Sequence, residues 1–588
     1  MDKMKISSEN FRSDEAARRR AEQRIESLMR PTFNEQKPSK SRVSRRNVCC
    51  IGFVFIVVIL AVGSIFFDRL AHLRHEFSDP AKEFGENEDT EQASRIASRH
   101  FPHSILSNMN LGADPCHDFY EYACGTFQEI TQLEPDQNEW ALAWSGISAR
   151  NTELLREVIE TDRGLAGTFY HSCLNMTRIN QLGNAPIQPF RKALRDLRSC
   201  SVYKHDRDRG PCGLAALPAV ISKWQMIDIK VFFDWSVEVD PHDPTRYALN
   251  LMQDGITLPD PKWYYSGTME AKDKLRGLKK VAFKVLLLAG ESEDEARYDA
   301  KCALEVETKL ARLFKDAAAE RTSEQRVYNL KTVDSLAPNL GLPAVLRDLA
   351  GDHGKALESA PILIRNPDYF AGVSRMLEEL PASHVRAYML FRMAFILGAD
   401  MGQPFLELGQ ELQRVVVGQQ APVPRWYKCY HSVNNALPDY VGRVFVQRYF
   451  SMDTLEAASD MLHDIRDVFQ ETVLEVPWLE EHSKTLATRK LAELFFSVGF
   501  PPTWADYRGL ELTGDFIDDG DRLYKWYIRH AFSRLSRPVL RTRWGTTSPA
   551  LVDAFYSYDK NGIFVPAGIL QKPFFSTTYR PARNFGAI

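Results

Sequence analysis

The sequence predicts a mainly α-helical, α+β protein with a single N-terminal transmembrane helix. Three observations carry this. Val48–Phe67 is a run of twenty residues without a charge. From about residue 106 onward, apolar residues recur at three- and four-residue steps, the period of a helix with one buried face. Strand-like stretches are few, and the clearest surrounds Asn561-Gly562, close to the last residue.

The apolar run comes first. At about 1.5 Å per residue, such a helix reaches about 30 Å, the thickness of a hydrocarbon core. No polar stripe interrupts it, which argues against a buried soluble helix. It is too long, starts too late and lacks a clear A-x-A site for a cleaved signal peptide. Residues 1–46 hold thirteen Lys/Arg against seven Asp/Glu, and Lys37, Lys40, Arg42, Arg45 and Arg46 crowd against the span. Basic residues mark the cytoplasmic side. The expected order is a cytoplasmic tail (1–46), a signal anchor (47–67) and an extracellular remainder, a type II protein of the plasma membrane. Cys49 and Cys50 suit palmitoylation or simple apolar filling equally.

Residues 68–105 are acidic, polar and weakly periodic, as in a stalk. Beyond them helices dominate. "RNTELLREVIE" and "DEARYDAKCALEVETKLARLF" are helical in period. In "SMDTLEAASDMLHDIRDVFQETVLEVP", Leu455, Ala458, Leu462, Ile465, Phe469, Val473 and Val476 make one apolar face. Ser451 or Asp453 caps its start and Pro477 stops it. "SKTLATRKLAELFFSVGFPP" reads as another helix, with Gly499 as its stop and Pro501 beyond. "VFFDWSVEVD" suits a strand. Asn561-Gly562 between aromatic and β-branched runs predicts a hairpin, and "AGILQKPFF" calls for an apolar packing partner.

Apolar residues are 44%, charged residues 26% and the net charge is -3, which excludes nucleic acid as a main partner. Beyond the membrane lie Cys116, Cys124, Cys173, Cys200, Cys212, Cys302 and Cys429. An extracellular setting favours disulfides, and the odd number leaves at least one thiol without a partner in this chain. No C-x-x-C suits zinc. Asn175-Met176-Thr177 is a glycosylation sequon, with Asn175 the acceptor.

"DPCHDFYEYACGTF", Asp114 to Phe127, resembles the opening signature of the neprilysin and endothelin-converting-enzyme family of membrane zinc metallopeptidases. "YHSCLNMTRIN", "LPDPKWYYSG", "VYNLKTVDSLAP", "LPDYVGRVFVQRYF" and "LATRKLAELFFSVGFPP" are similar to later blocks, in the family's order. "VDAFYSYDKNGIFVPAGILQKPFF" and "NFGAI" resemble the entry into its catalytic part. The resemblance covers roughly residues 106–588. It implies a two-lobed ectodomain, with a helical peptidase-family domain over 106–545 and the beginning of a catalytic domain over 546–588. It also implies a Cys173–Cys429 disulfide, and partners for Cys116 and Cys124 near the family's C-terminus. Cys200 and Cys212, close together in a loop-like segment, suit a pair of their own, leaving Cys302 as a buried thiol.

The family's cofactor is zinc, held by H-E-x-x-H on a helix and by a later Glu. Among fourteen histidines the only His-Glu pair is His75-Glu76, followed at the fourth position by Asp79 and then Pro80, which is no zinc site. In the family, the zinc helix begins a few residues after the block matching "NFGAI". The expectation is therefore a chain truncated before the zinc motif, with no catalytic or metal-ligating residue and no zinc of its own. The family's substrate-binding strand, Asn-Ala-(Phe/Tyr)-Tyr, corresponds to Asp553, Ala554, Phe555 and Tyr556. An ionised Asp accepts hydrogen bonds but cannot donate them, so Asp553 is either a weakened substrate contact or a solvated strand end.

Three functions remain open at this level. One is a zinc endopeptidase whose last stretch lies outside these residues. Another is an inactive peptidase-like ectodomain that binds peptides or pairs with itself or a full-length relative. The third, a helical receptor or adhesion ectodomain without hydrolytic ancestry, is disfavoured by the ordered blocks.

Overall fold

The computed structural model describes residues 103–199 and 216–588. The tail, the span, most of the stalk, Cys200 and Cys212 lie outside the described residues. No described helix is long and apolar enough to cross a membrane.

Three apolar clusters organise the chain. The largest packs helices Met269–Leu288, Glu293–Ala311 and Ala382–Gly398 against a four-stranded sheet. Their starts follow from local chemistry. The Thr268 side chain accepts from the Ala271 N–H, and Ser292 and Glu295 form a reciprocal capping box. The sheet runs β1 (Phe233–Asp240), β2 (Asp243–Gln253), β4 (Ile362–Ile364), β3 (Arg326–Tyr328) in space. β1 and β2 pair antiparallel with Trp235 opposite Leu251, while β4 joins β2 in parallel. Of these only β1 was legible in the sequence: β3 and β4 have three residues each and carry too little period to register, and the eleven-residue β2 was missed outright.

Charge is buried in this cluster and engages hydrogen bonds, though Arg392 Nε, Arg386 Nε and Glu291 Oε2 have no partner among the described residues. Arg392 donates to the carbonyls of Ile256 (3.0 Å) and Lys230 (3.1 Å) and to Thr257 Oγ1 (3.2 Å). Glu307 accepts from Tyr264 Oη and Thr257 Oγ1, each at 2.7 Å. Burial raises the Glu307 pKa, against the pull of Arg392.

The second cluster joins helices Leu142–Thr161, Leu165–Leu174, Arg425–Ala436 and Pro438–Tyr449. Cys173 and Cys429 are disulfide-bonded at its centre, both fully buried. Arg425 secures the crossing by donating Nε and Nη2 to the Cys173 carbonyl at 3.0 and 2.7 Å.

The third cluster holds two corrections. The helix expected through Gly499 spans Glu481–Ala492 and stops. Phe495–Gly499 is instead a strand, β5. Its aromatic and β-branched residues suit a pleated surface, and Gly499 ends the strand at φ +81°. β5 pairs in parallel with β7 (Gly562–Pro566), and β7 pairs antiparallel with β6 (Phe555–Ser557). Asn561 turns the expected hairpin at φ 48°. The second correction concerns helix Met452–Glu475, capped by Ser451. Its Ala458, Met461 and Leu462 are buried against Val498 and Val565. Ile465 and Phe469, from the same predicted face, are 41% and 49% exposed, because the sheet covers only the N-terminal half of the helix. The apolar "AGILQKPFF" segment finds its partner here: Ile569, Leu570 and Phe575 are buried in this cluster. The final helix, Pro581–Ala587, is held by Asn584, which bonds Ser576 through both its N–H and its carbonyl.

The disulfide closes a sequence separation of 256 residues, so opening it frees a long loop in the unfolded chain. Replacing both cysteines by Ser is expected to lower stability by about 3–5 kcal/mol. A urea-unfolding midpoint matching the unsubstituted chain would contradict this.

Candidate functional site

A cavity of about 940 Å³ opens between the first two clusters, with helix Phe516–Ser533 along one side. Asp515 caps this helix. The spacing of Tyr524, Tyr527, Ala531 and Arg534 then sets one helical stripe on the cavity, and Trp526 and His530 set a second beside it.

Lys230 stands on the wall. Its Nζ lies 2.8 Å from Asp234 and 3.0 Å from Asp228, and donates to Tyr524 Oη at 2.7 Å. Burial opposes the ammonium, but Tyr524 and the two carboxylates outweigh it and hold Lys230 charged, above the usual lysine range. Next to it runs an aromatic stack. Tyr507 lies on Trp526 at 4.6 Å between ring centres, and Trp526 on His530 at 3.8 Å. His530 Nδ1 bonds the Trp526 carbonyl at 2.9 Å. Burial pushes the His530 pKa down, and Arg543, Arg529 and Arg537 add to that.

A smaller cavity of about 290 Å³ lies where the β6–β7 hairpin meets the four-stranded sheet. Glu238 of β1 lines it, and the desolvation there raises its pKa against the pull of Arg534 and Lys560. The hairpin is anchored from behind. Arg541 Nε donates to the Lys560 carbonyl at 2.8 Å, and Asn561 Nδ2 to the Lys490 carbonyl at 2.9 Å.

The residues matched to the substrate-binding strand sit together at the sheet's margin. The strand order is β5-β7-β6, so β6 is an outer strand, and no other described strand pairs with its far side. Asp553 and Ala554 are exposed and lead into it. Asp553 Oδ1 accepts from the Ala554 N–H at 2.8 Å. Phe555 stacks on Phe564 of β7 at 5.1 Å, with the rings within 9° of parallel.

Asn175 is exposed and caps helix Met176–Leu182 through Oδ1, which accepts from the Arg178 N–H at 3.1 Å. Its Nδ2, the atom a glycan would take, donates to no described residue. Cys302 is buried, and burial raises its thiol pKa. The cavity wall was missed from sequence. "YKWYIRH" is rich in aromatics, but the partners that make it a wall come from residues near 230 and 439. Among the described residues no three His, Cys, Asp or Glu side chains converge as a metal site needs. These residues do not by themselves supply the donor set of a peptidase zinc, and no step is derived through one.

Profiles of peptidase family M13 match residues 115–501 and 553–588. The chain belongs to this family of peptidases, whose members use zinc. It is 27% identical to neprilysin-11 of Caenorhabditis elegans over 84% of this chain and 60% of that protein. It is 25% identical to endothelin-converting enzyme 1 of Bos taurus over 82% of this chain and 65% of that one. The chain thus spans less than two thirds of the length of either relative. Its fold matches the crystal structure of the Mycobacterium tuberculosis zinc metalloprotease Zmp1 with a TM-score of 0.72, at 22% identity, over 81% of this chain and 71% of that one.

Because folding depresses the His530 pKa, its contribution to stability is complete above the unfolded value, about 6.5, and is lost as pH falls through that value toward the folded one. His530→Gln removes this proton. Its urea midpoint should fall less between pH 7.5 and 5 than that of the unsubstituted chain; equal slopes would contradict the assignment.

Proposed function

We propose that residues 1–588 carry the peptide-recognising part of a membrane-anchored M13 peptidase and bind extended peptides without cleaving them. The observation that carries this is β6, an outer strand whose far side pairs with no described strand. An outer strand presents unpaired N–H and C=O groups in one row, and an extended peptide adds to such a row by main-chain hydrogen bonds.

In this reading the part beyond the apolar run lies outside the cell. The uncharged run behind a basic tail supports a type II anchor in the plasma membrane, and the Asn175 sequon suits the same topology. Partners in this reading are peptides and the membrane, with pairing to a second copy or a full-length relative as the form an inactive chain would take. Hydrolysis in the family rests on a zinc-binding H-E-x-x-H, and the 588 residues contain no such sequence.

Asp553 shapes the affinity. Its carboxylate takes the Ala554 N–H and has no donor to offer a peptide carbonyl. Asp553→Asn adds one, and should tighten binding of an apolar extended peptide by about 3- to 10-fold, the worth of one net hydrogen bond. Titration calorimetry on the full chain in detergent reads this, and unchanged affinity would count against Asp553 as a contact. On the same sample, peptide should be recovered intact and metal analysis should find no stoichiometric zinc. One tightly held zinc per chain, or cleaved peptide, would overturn the non-hydrolytic reading.

A further inference from the structure

Three cations line the large cavity, and they differ in one respect. Lys230 is saturated by Asp228, Asp234 and Tyr524. Arg534 and Arg543 are not: neither makes an ion pair with a described residue. Arg534 spends only its Nε, on the Ala531 carbonyl at 3.4 Å, and lies over the Tyr247 ring at 5.7 Å. Arg543 Nε is buried with no hydrogen-bond partner. The terminal nitrogens of both guanidinium groups donate to no described acceptor.

The neighbouring acids act on these cations only at a distance: Glu238 attracts Arg534 and Asp439 attracts Arg543, and neither forms a close ion pair with them. Asp439 accepts the Ala505 N–H at 2.7 Å, and burial raises its pKa. Asp559 accepts from Ser557 Oγ at 2.6 Å. Glu238 is raised in the same way. Lys560 adds positive charge, its Nζ donating to the Arg543 carbonyl at 2.9 Å. Two half-buried guanidinium groups thus stand beside a third cation, and neither is in a close ion pair with a described carboxylate. Leaving enclosed charges unpaired is costly, and a guanidinium fork matches a carboxylate in shape and hydrogen-bond direction.

We propose that Arg534 and Arg543 form a carboxylate-binding subsite of the cavity, which receives a carboxylate of the bound peptide. Trp235, Trp526 and Tyr527 line the same cavity, so an apolar or aromatic group beside the carboxylate completes the ligand. The carboxylate is either the peptide's C-terminus or an Asp or Glu side chain. The assignment rests on the peptide-binding reading for its ligand, though not for its charge.

The test uses the full chain in detergent and titration calorimetry. The probes are one apolar heptapeptide as free acid, as C-terminal amide, and as amide with one internal Glu, together with phenylacetate and phenylacetamide. The free acid should bind about tenfold or more tighter than the amide. Arg534→Gln and Arg543→Gln should each reduce that preference and leave the amide's affinity in place. Recovery of tight binding by the internal Glu identifies a side chain as the source; its absence identifies the terminus. If no peptide binds but phenylacetate outbinds phenylacetamide and loses that advantage in the variants, the subsite stands and the peptide reading falls. Equal binding of acid and amide in both pairs by the unsubstituted chain overturns the subsite, and needs no variant to fold. A preference that survives both substitutions overturns it as well.

Discussion

The parallel pairing of β5 with β7 is the contact on which the rest of this site depends. It brings Phe495–Gly499 beside Gly562–Pro566, two segments separated by the helix that walls the cavity. Without it, β6 would belong to an isolated two-stranded hairpin, which is marginal in water. With it, β6 becomes the margin of a three-stranded sheet, backed by Val498 and Val565 against helix Met452–Glu475. Trp544 ties the loop before β6 to the same sheet, donating Nε1 to Ser497 Oγ at 2.7 Å. The position of Asp553 and Ala554 is therefore set by residues more than fifty positions upstream.

The cavity is governed by a different balance. Aromatic side chains and seven aspartates share its walls, so ionised groups enclosed there must be paired or carry a cost. Lys230 meets that condition through two carboxylates and a phenol. Arg392 meets it behind the wall through backbone carbonyls, one of them that of Lys230. Lys230 therefore sets the comparison for Arg534 and Arg543: it faces two carboxylates and a phenol, whereas they have no ion-pair partner among the described residues. The disulfide and Arg425 hold the second cluster together.

Much of this was legible in the sequence, for identifiable reasons. Long helices show their period over many turns, and the cap Ser451 marks one of their starts. The Asn561-Gly562 turn announced its hairpin because few residue pairs suit left-handed backbone at that point. The Cys173–Cys429 disulfide followed from the resemblance, and no spacing rule would have given it. The strand β5 was misread because five apolar residues after a helix fit either period, and only its distant partner decides between them. Ile465 and Phe469 continued an apolar stripe that the described fold covers only in part. The Arg534–Arg543 pair was invisible, because a lone basic residue has no signature until its neighbours' partners are known.

The central claim is that β6 is the edge to which a peptide adds. Hydrogen–deuterium exchange of the full chain with and without an apolar extended peptide tests it most directly. The account predicts slowed exchange of the backbone amides in residues 553–557, with β5 unchanged. Saturating peptide that leaves 553–557 exchanging as before, or protects only residues remote from this strand, would contradict it.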